Sequence, residues 1–307
     1  MTSPGDQPAE RQRVLISGAS GMIGVPLVRA LRADGHTVHT LVRRAPRTPD
    51  EFPWNPSDDI LDPAALDGVT AVINLSGASI ARIPWTPGYR RELVSSRVDA
   101  TRLLAERIVA MDSPPATFLS GSAIGYYGDR PRVRLDDDAP RGDGFIPDLV
   151  LAWEQAAAIA TSATRVVTMR TSVVVAKSGG LAPVRLLTAV GLGSKFGSGR
   201  QFWPWISLDD EVGAIVHLLT SKLSGAVVLA GPTPATADEI TAAYAQLMHR
   251  PRLLPVPAWA IRLGLGDAGE HLLLADTQVQ PVRLAADGFV WKHRTVDAAV
   301  AAALGKS

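Results

Sequence analysis

Near its start the chain passes from a short apolar run, Val14–Ser17 (VLIS), into GASGMIG, Gly18–Gly24, and on into a helix-like stretch ending at Ala33. Gly18, Gly21 and Gly24 give the spacing GxxGxxG between a strand and a helix. Only glycine lets the backbone turn so tightly and come close to a pyrophosphate. The helix N-terminus then offers free N–H groups and a partial positive charge to the phosphates. A plain strand–helix turn is the competing reading. The place near the N-terminus, after an apolar strand and before an amphipathic helix, favours a dinucleotide site. Gly18, Ser20, Gly21, Met22, Ile23 and Gly24 are its expected contacts.

The rest of the chain continues the alternation. Apolar runs at 36–42, 70–77, 116–122 and 164–176 read as strands, and helical stretches at 86–111 and 147–163 lie between them. Thr86 suits an N-cap and Pro87 the first helical position. The strands are apolar throughout, which predicts an α/β fold with a parallel sheet covered on both faces. Farther on, Ser207/Asp210 and Thr236/Glu239 mark two helix starts with a capping-box pattern, and 226–232 reads as a further strand. The expected division is a lead-in over 1–13, a nucleotide-binding domain over 14–250 with interleaved substrate segments, and a small, mainly helical lobe over 251–307.

The second strand selects the cofactor. NAD-binding chains carry an acid at its end, about 20 residues past the glycines, for the ribose 2′-OH. Here no acidic residue occurs between Gly35 and Pro49, and Arg43 and Arg44 stand in its place, with Arg47 close by. A guanidinium pairs with a phosphate in bidentate fashion. The expected cofactor is therefore NADP(H), with Arg43 as the main 2′-phosphate contact; a solvated basic turn is the alternative.

Composition narrows the class. The formal net charge is +1, which points to neither a nucleic-acid nor a membrane-surface partner. The chain has no cysteine, which removes disulfides and thiolate chemistry and fits a reducing, cytoplasmic setting. No apolar run reaches bilayer length, and the polar N-terminus lacks the apolar core of a signal peptide. His36 and His39 are the only close histidine pair, and their odd spacing on a strand sends them to opposite faces, so no metal site is expected. The acidic loop Leu135–Gly142 reads as solvated. In GRQFWPWI, Arg200 and Trp205 are candidate substrate contacts, Arg200 for an anionic small molecule; core packing competes for the tryptophans.

GASGMIG, INLSGASI, WTPGYRRELVSSRVDATRLL, SAIGYYGD, GSGRQFWPWISLDD and LLPVPAWAIRLGLG occur in that order. Together they resemble the extended short-chain dehydrogenases/reductases, and more narrowly their atypical branch labelled epimerase family proteins. That branch belongs with the NAD-dependent epimerases/dehydratases and ends in a small domain of unknown function. The resemblance covers essentially the whole chain. It implies a Rossmann-type doubly wound sheet, a nicotinamide cofactor and a substrate cleft over the C-terminal strand ends. It further implies that Leu75, Ser76 and Gly77 run beside the adenosine and pyrophosphate, that Glu92 and Arg97 both face the cleft, and that the Val174 backbone lies near the nicotinamide. It implies no substrate.

The wider superfamily works with a tyrosine followed four residues later by a lysine. No lysine here, at 177, 195, 222, 292 or 306, has a tyrosine four residues before it. By the resemblance, Ile146 stands for the tyrosine and Val150 for the lysine. The remaining catalytic candidates are Ser122, to hydrogen-bond a substrate carbonyl, Arg97, to stabilise negative charge, and Tyr127, as proton donor, with Tyr126 packing under the loop. Two readings follow: an NADP(H)-dependent oxidoreductase or epimerase of atypical mechanism, and a non-catalytic NADPH-binding sensor or scaffold. Turnover of any carbonyl separates them.

Overall fold

A computed structural model describes residues 11–252 and 255–306. Most of the expected lead-in, and Leu253 and Leu254 of the tail motif, lie outside the described residues. The main sheet is built from β1 (Arg13–Ser17), β2 (Thr37–Val42), β3 (Glu51–Asn55), β4 (Ile60–Leu61), β5 (Ala71–Asn74) and β6 (Thr117–Ala123). Two later strands complete it, after a short β7 (Arg134–Leu135): β8 (Arg165–Thr171) and β11 (Gly225–Leu229). The order across the sheet is β11-β8-β6-β5-β1-β2-β3-β4. All neighbours run parallel except β3 and β4. The chain moves outward from β1 through β2 to β3, then returns to β5 on the other side. This reversal between β1 and β5 is the switch point of a doubly wound Rossmann sheet, where such folds open a crevice at the carboxyl ends of the strands.

The covering helices follow their sequence signals. Helix α1 (Gly24–Ala33) buries Leu27 and Leu31 against Val14, Ile16 and Ile73. On the other face, α2 (Pro87–Val109) buries Leu103, Leu104 and Ile108 with Leu15, Val72 and Phe118. The Thr86 side chain caps α2 by accepting from the Tyr89 N–H at 3.2 Å, with Pro87 opening the helix. Then come α3 (Phe145–Ala158), α4 (Ala182–Ala189), α5 (Leu208–Thr220) and α6 (Ala237–Leu247). Ser207 caps α5, and Thr236 with Glu239 forms a full capping box on α6.

Three readings needed correction. The first strand begins at Arg13 rather than Val14, with the Gln12 carbonyl already accepting from Thr37. The 164–176 run is two strands: β8 stays in the sheet, and β9 (Val173–Val175) leaves it to pair with β10 (Trp205–Ser207). The β3–β4 pair carries no strand pattern in the sequence because Pro53 interrupts it; β3 lies between β2 and the two-residue edge strand β4, which pairs only with Trp54 and Asn55.

The C-terminal segment carries α7 (Ala258–Gly269), a π-helical turn (Glu270–Leu274), β12 (Gln278–Val279), α8 (Val282–Ala286) and α9 (Val296–Ala303). It does not build a core of its own. Val296, Ala299 and Val300 pack with Val175, Trp203 and Ile240, and β12 pairs with β7. Among the described residues no helix is long and apolar enough to cross a membrane.

Candidate functional site

The crevice between β1 and β5 is shaped by glycines. Gly18 adopts φ +72°, and a Cβ there would stand 2.6 Å from the Leu75 carbonyl oxygen. A Cβ on Gly24 would stand 2.3 Å from the Gly18 oxygen. The loop therefore closes on itself, fixed by a hydrogen bond from the Gly21 N–H to the Gly18 oxygen at 2.9 Å. Among the described residues the N–H groups of Met22, Ile23 and Gly24 have no acceptor, and α1 starts with no side-chain cap. Those donors, at a helix N-terminus, are what an anionic phosphate needs. Ser20 and Gly21 are exposed on the same turn.

The facing strand end is held from behind. Ser17 Oγ donates to Asn74 Oδ1 at 2.5 Å, and the same oxygen accepts the Ser76 N–H at 3.2 Å. Asn74 Nδ2 and the Trp153 indole N–H both donate to Thr101 Oγ1, at 2.7 and 2.8 Å. This buried chain sets Leu75–Gly77 beside the glycine loop. Arg97 lies behind Gly77: its guanidinium donates to the Leu93 and Ala78 carbonyls at 3.0 and 2.9 Å and covers the Trp153 ring at 5.3 Å. Among the described residues it has no carboxylate partner, and burial holds its pKa down to about 10, so it stays charged at neutral pH. Glu92 and Arg97, both expected to face the cleft, lie on different faces of α2. Five residues turn a helix through about 140° beyond one full turn, and Glu92 is exposed.

At the end of β2, Arg43 is exposed with no side-chain partner among the described residues. Arg44 is engaged by Glu51. Val174 sits in the β9–β10 ribbon just past β8, with its side chain in the core.

Around Ser122 the geometry departs from expectation. Ser122 is 4% exposed and donates to Glu154 Oε1 at 2.6 Å. Glu154 accepts Nε and Nη2 of Arg170 at 2.8 and 2.9 Å. Arg170 Nη1 reaches the Tyr127 hydroxyl and the Asp137 carbonyl, each at 3.0 Å. Tyr127 is fully buried and donates to the Asp136 carbonyl at 2.8 Å. Its burial pushes the phenol pKa up to about 12. Tyr127 is thus a structural tyrosine rather than a proton donor, and no hydrogen bond joins Arg97 to Ser122 or Tyr127. Tyr126 is the accessible one. It is half-buried, its hydroxyl has no partner among the described residues, and the Arg170 guanidinium lies 3.5 Å from its ring centroid. Adjacent tyrosines gave no sequence signal as to which faces the cleft.

Ile146 and Val150 both lie on α3. Ile146 packs against Gly125, and Val150, 1% exposed, joins Leu93 and Trp153 in one cluster. The acidic loop is not simply solvated: Asp137 is buried and accepts the Val228 and Arg283 N–H groups at 2.6 and 3.0 Å. Trp205 is core; it is 1% exposed, with its indole N–H donating to the Thr233 carbonyl at 2.9 Å. Arg200 is exposed, and its side chain has no partner among the described residues. A cavity of about 290 Å³ opens between Asp129, Arg130, Gly142 and Asp143 on one side and Glu270, His271 and Ala275 of the C-terminal segment on the other. Gly142 in its wall donates to the Tyr126 carbonyl at 3.0 Å.

Sequence reasoning also missed Glu211. This α5 residue is fully buried, and burial pushes its carboxyl pKa up to about 8. Thr171 donates to Oε1 at 2.8 Å, and Oε2 has no partner among the described residues.

Known proteins share this architecture along its length. The human epimerase family protein SDR39U1 (isoform 2), crystallised with NADPH, superposes with a TM-score of 0.87 at 29% identity, covering 96% of this chain and all of that one (100%). A nucleoside-diphosphate sugar epimerase from Corynebacterium glutamicum gives 0.79 at 27% identity, covering 96% of this chain and 58% of that one. By sequence, an epimerase family protein of Mycobacterium bovis is 41% identical over 290 residues, 94% of this chain and 96% of that protein. A domain of unknown function, DUF1731, matches residues 256–303. With the NAD dependent epimerase/dehydratase model matching residues 14–231, the chain belongs to that family, within its group of epimerase family proteins.

Proposed function

We propose that this chain binds NADP(H) and acts as an epimerase-type oxidoreductase on a small molecule, without the usual tyrosine–lysine pair. One observation carries the cofactor reading. A glycine cradle that a Cβ would fill, with free N–H donors, stands on the same sheet edge as the unpartnered Arg43. The family relative crystallised with NADPH supports it. When bound, the nicotinamide supplies the hydride donor or acceptor.

The chain's own residues divide the remaining work. Gly18–Gly24 receive the pyrophosphate, Leu75–Gly77 flank it, and Arg97 adds an uncompensated positive charge behind Gly77. Arg43 takes the 2′-phosphate. Tyr126 holds or releases the proton at its hydroxyl, since Tyr127 is sealed in the core and Ser122 is committed to Glu154. The cavity beside this turn is at the small end of ligand-site sizes, and Arg200 favours an anionic substrate.

Titration with NADPH and NADH tests the cofactor reading; equal affinities overturn it. A second reading, an NADPH-binding sensor or scaffold, draws on the apolar Ile146 and Val150 where acid–base chemistry is usually done. A panel of carbonyl compounds followed by NADPH absorbance decides between them, and binding without any turnover sustains the second.

A further inference from the structure

Glu51, the first residue of β3, is committed wholly to the turn that follows β2. Its Oε1 accepts Arg44 Nη2 at 2.6 Å, and its Oε2 accepts Arg44 Nη1 at 2.8 Å and the Arg47 N–H at 2.6 Å. Arg44 Nη1 also donates to the Ala45 carbonyl at 2.9 Å. Glu51 and that carbonyl therefore take three of the five N–H donors that an arginine has. Hydrogen bonds from Arg44 and then from the Arg47 N–H hold the Glu51 carboxyl down to about 2, so the clasp is charged across the working pH range. Arg43 beside it is exposed and has no side-chain partner among the described residues.

This turn lies at the carboxyl end of β2, where a doubly wound fold places the adenosine ribose. We propose that Glu51 is a positioning residue that sets cofactor choice: by clasping Arg44 and the Arg47 amide, it presents Arg43 and the unspent N–H groups of Arg44 to a ribose 2′-phosphate. The inference rests on the NADP(H) reading above. Two effects act together. The clasp removes rotamer freedom that a loose arginine and a loose turn would lose on binding. It also engages both oxygens of the nearby acid, filling three of its roughly four acceptor sites, so Glu51 competes poorly for a ribose 2′-OH, the contact that favours NAD.

The test uses the full chain and measures dissociation constants for NADPH and NADH by fluorescence. Wild type is compared with Arg43→Ala, Arg44→Ala, Glu51→Gln and the Arg44→Ala/Glu51→Gln double variant. Glu51→Gln is expected to weaken NADPH about tenfold and to leave NADH within about twofold. Because Glu51 acts partly through Arg44, the two substitutions are expected to be non-additive, the double variant losing less NADPH affinity than the sum of the two single losses. An unchanged NADPH affinity in Glu51→Gln, with the wild-type preference for NADPH intact, overturns the inference. So does equal weakening of both cofactors, the signature of a merely structural role. A wild type that binds both equally overturns the cofactor reading instead.

Discussion

Ser122 donates its hydroxyl proton to Glu154 at 2.6 Å, and Glu154 in turn clasps the buried Arg170. The serine at the end of β6 is thus the tip of an ion-pair network that ties β6, α3 and β8 together, not a free group facing a substrate. Removing one member of a buried pair strands the other's charge. Glu154→Ala is expected to destabilise the protein by about 3 kcal/mol or more, and Ser122→Ala by about 1 kcal/mol. Urea denaturation checks both.

The two adjacent tyrosines are expected to part company. Tyr127→Phe removes the donor to the Asp136 carbonyl and an acceptor for Arg170. It should cost about 1–3 kcal/mol in stability. Tyr126→Phe should leave stability within about 0.5 kcal/mol, because its hydroxyl has no partner to lose. On any carbonyl found to be turned over, Tyr126→Phe should abolish turnover while NADPH affinity stays at the wild-type level. Full activity in that variant would remove Tyr126 from the site.

Glu211 predicts a pH effect of definite sign. Its pKa rises from 4.5 to about 8 on folding, so the folded state holds the proton more tightly than the unfolded chain. The stability lost to this group is absent below about pH 4.5, grows as pH rises, and is complete above about pH 8. Glu211→Gln removes the titrating group. The difference in melting temperature, variant minus wild type, should therefore increase between these limits. A constant difference would mean that Glu211 does not change its proton affinity on folding.

The glycine cradle gives a graded series. Gly24→Ala sets a Cβ 2.3 Å from a backbone oxygen, Gly18→Ala sets one at 2.6 Å and also keeps a positive φ, and Gly21→Ala sets one at 3.1 Å. The first two should destabilise the protein by about 1–3 kcal/mol and weaken NADPH more than Gly21→Ala does. Calorimetric titration on the three variants orders them.

The sequence by itself determined the architecture. Apolar strands, helix caps and a glycine turn are local patterns: Thr86–Pro87 and Thr236–Glu239 read the same in the chain as in the fold, and the first strand differs from Val14–Ser17 only by Arg13 at its start. It also showed that the tyrosine–lysine pair is missing, since that is a matter of residue identity alone. Tertiary structure decided the rest. Which of Tyr126 and Tyr127 is sealed away depends on Arg170 and Asp136, which meet them only in the folded chain. Whether Ser122 is free depends on Glu154, 32 residues away. Arg43 and Arg44 look alike in sequence, and only Glu51, brought alongside when β3 pairs with β2, separates the free guanidinium from the clasped one. Local sequence fixes backbone conformation, but a polar side chain's role is set by the partners that distant strands and helices bring to it.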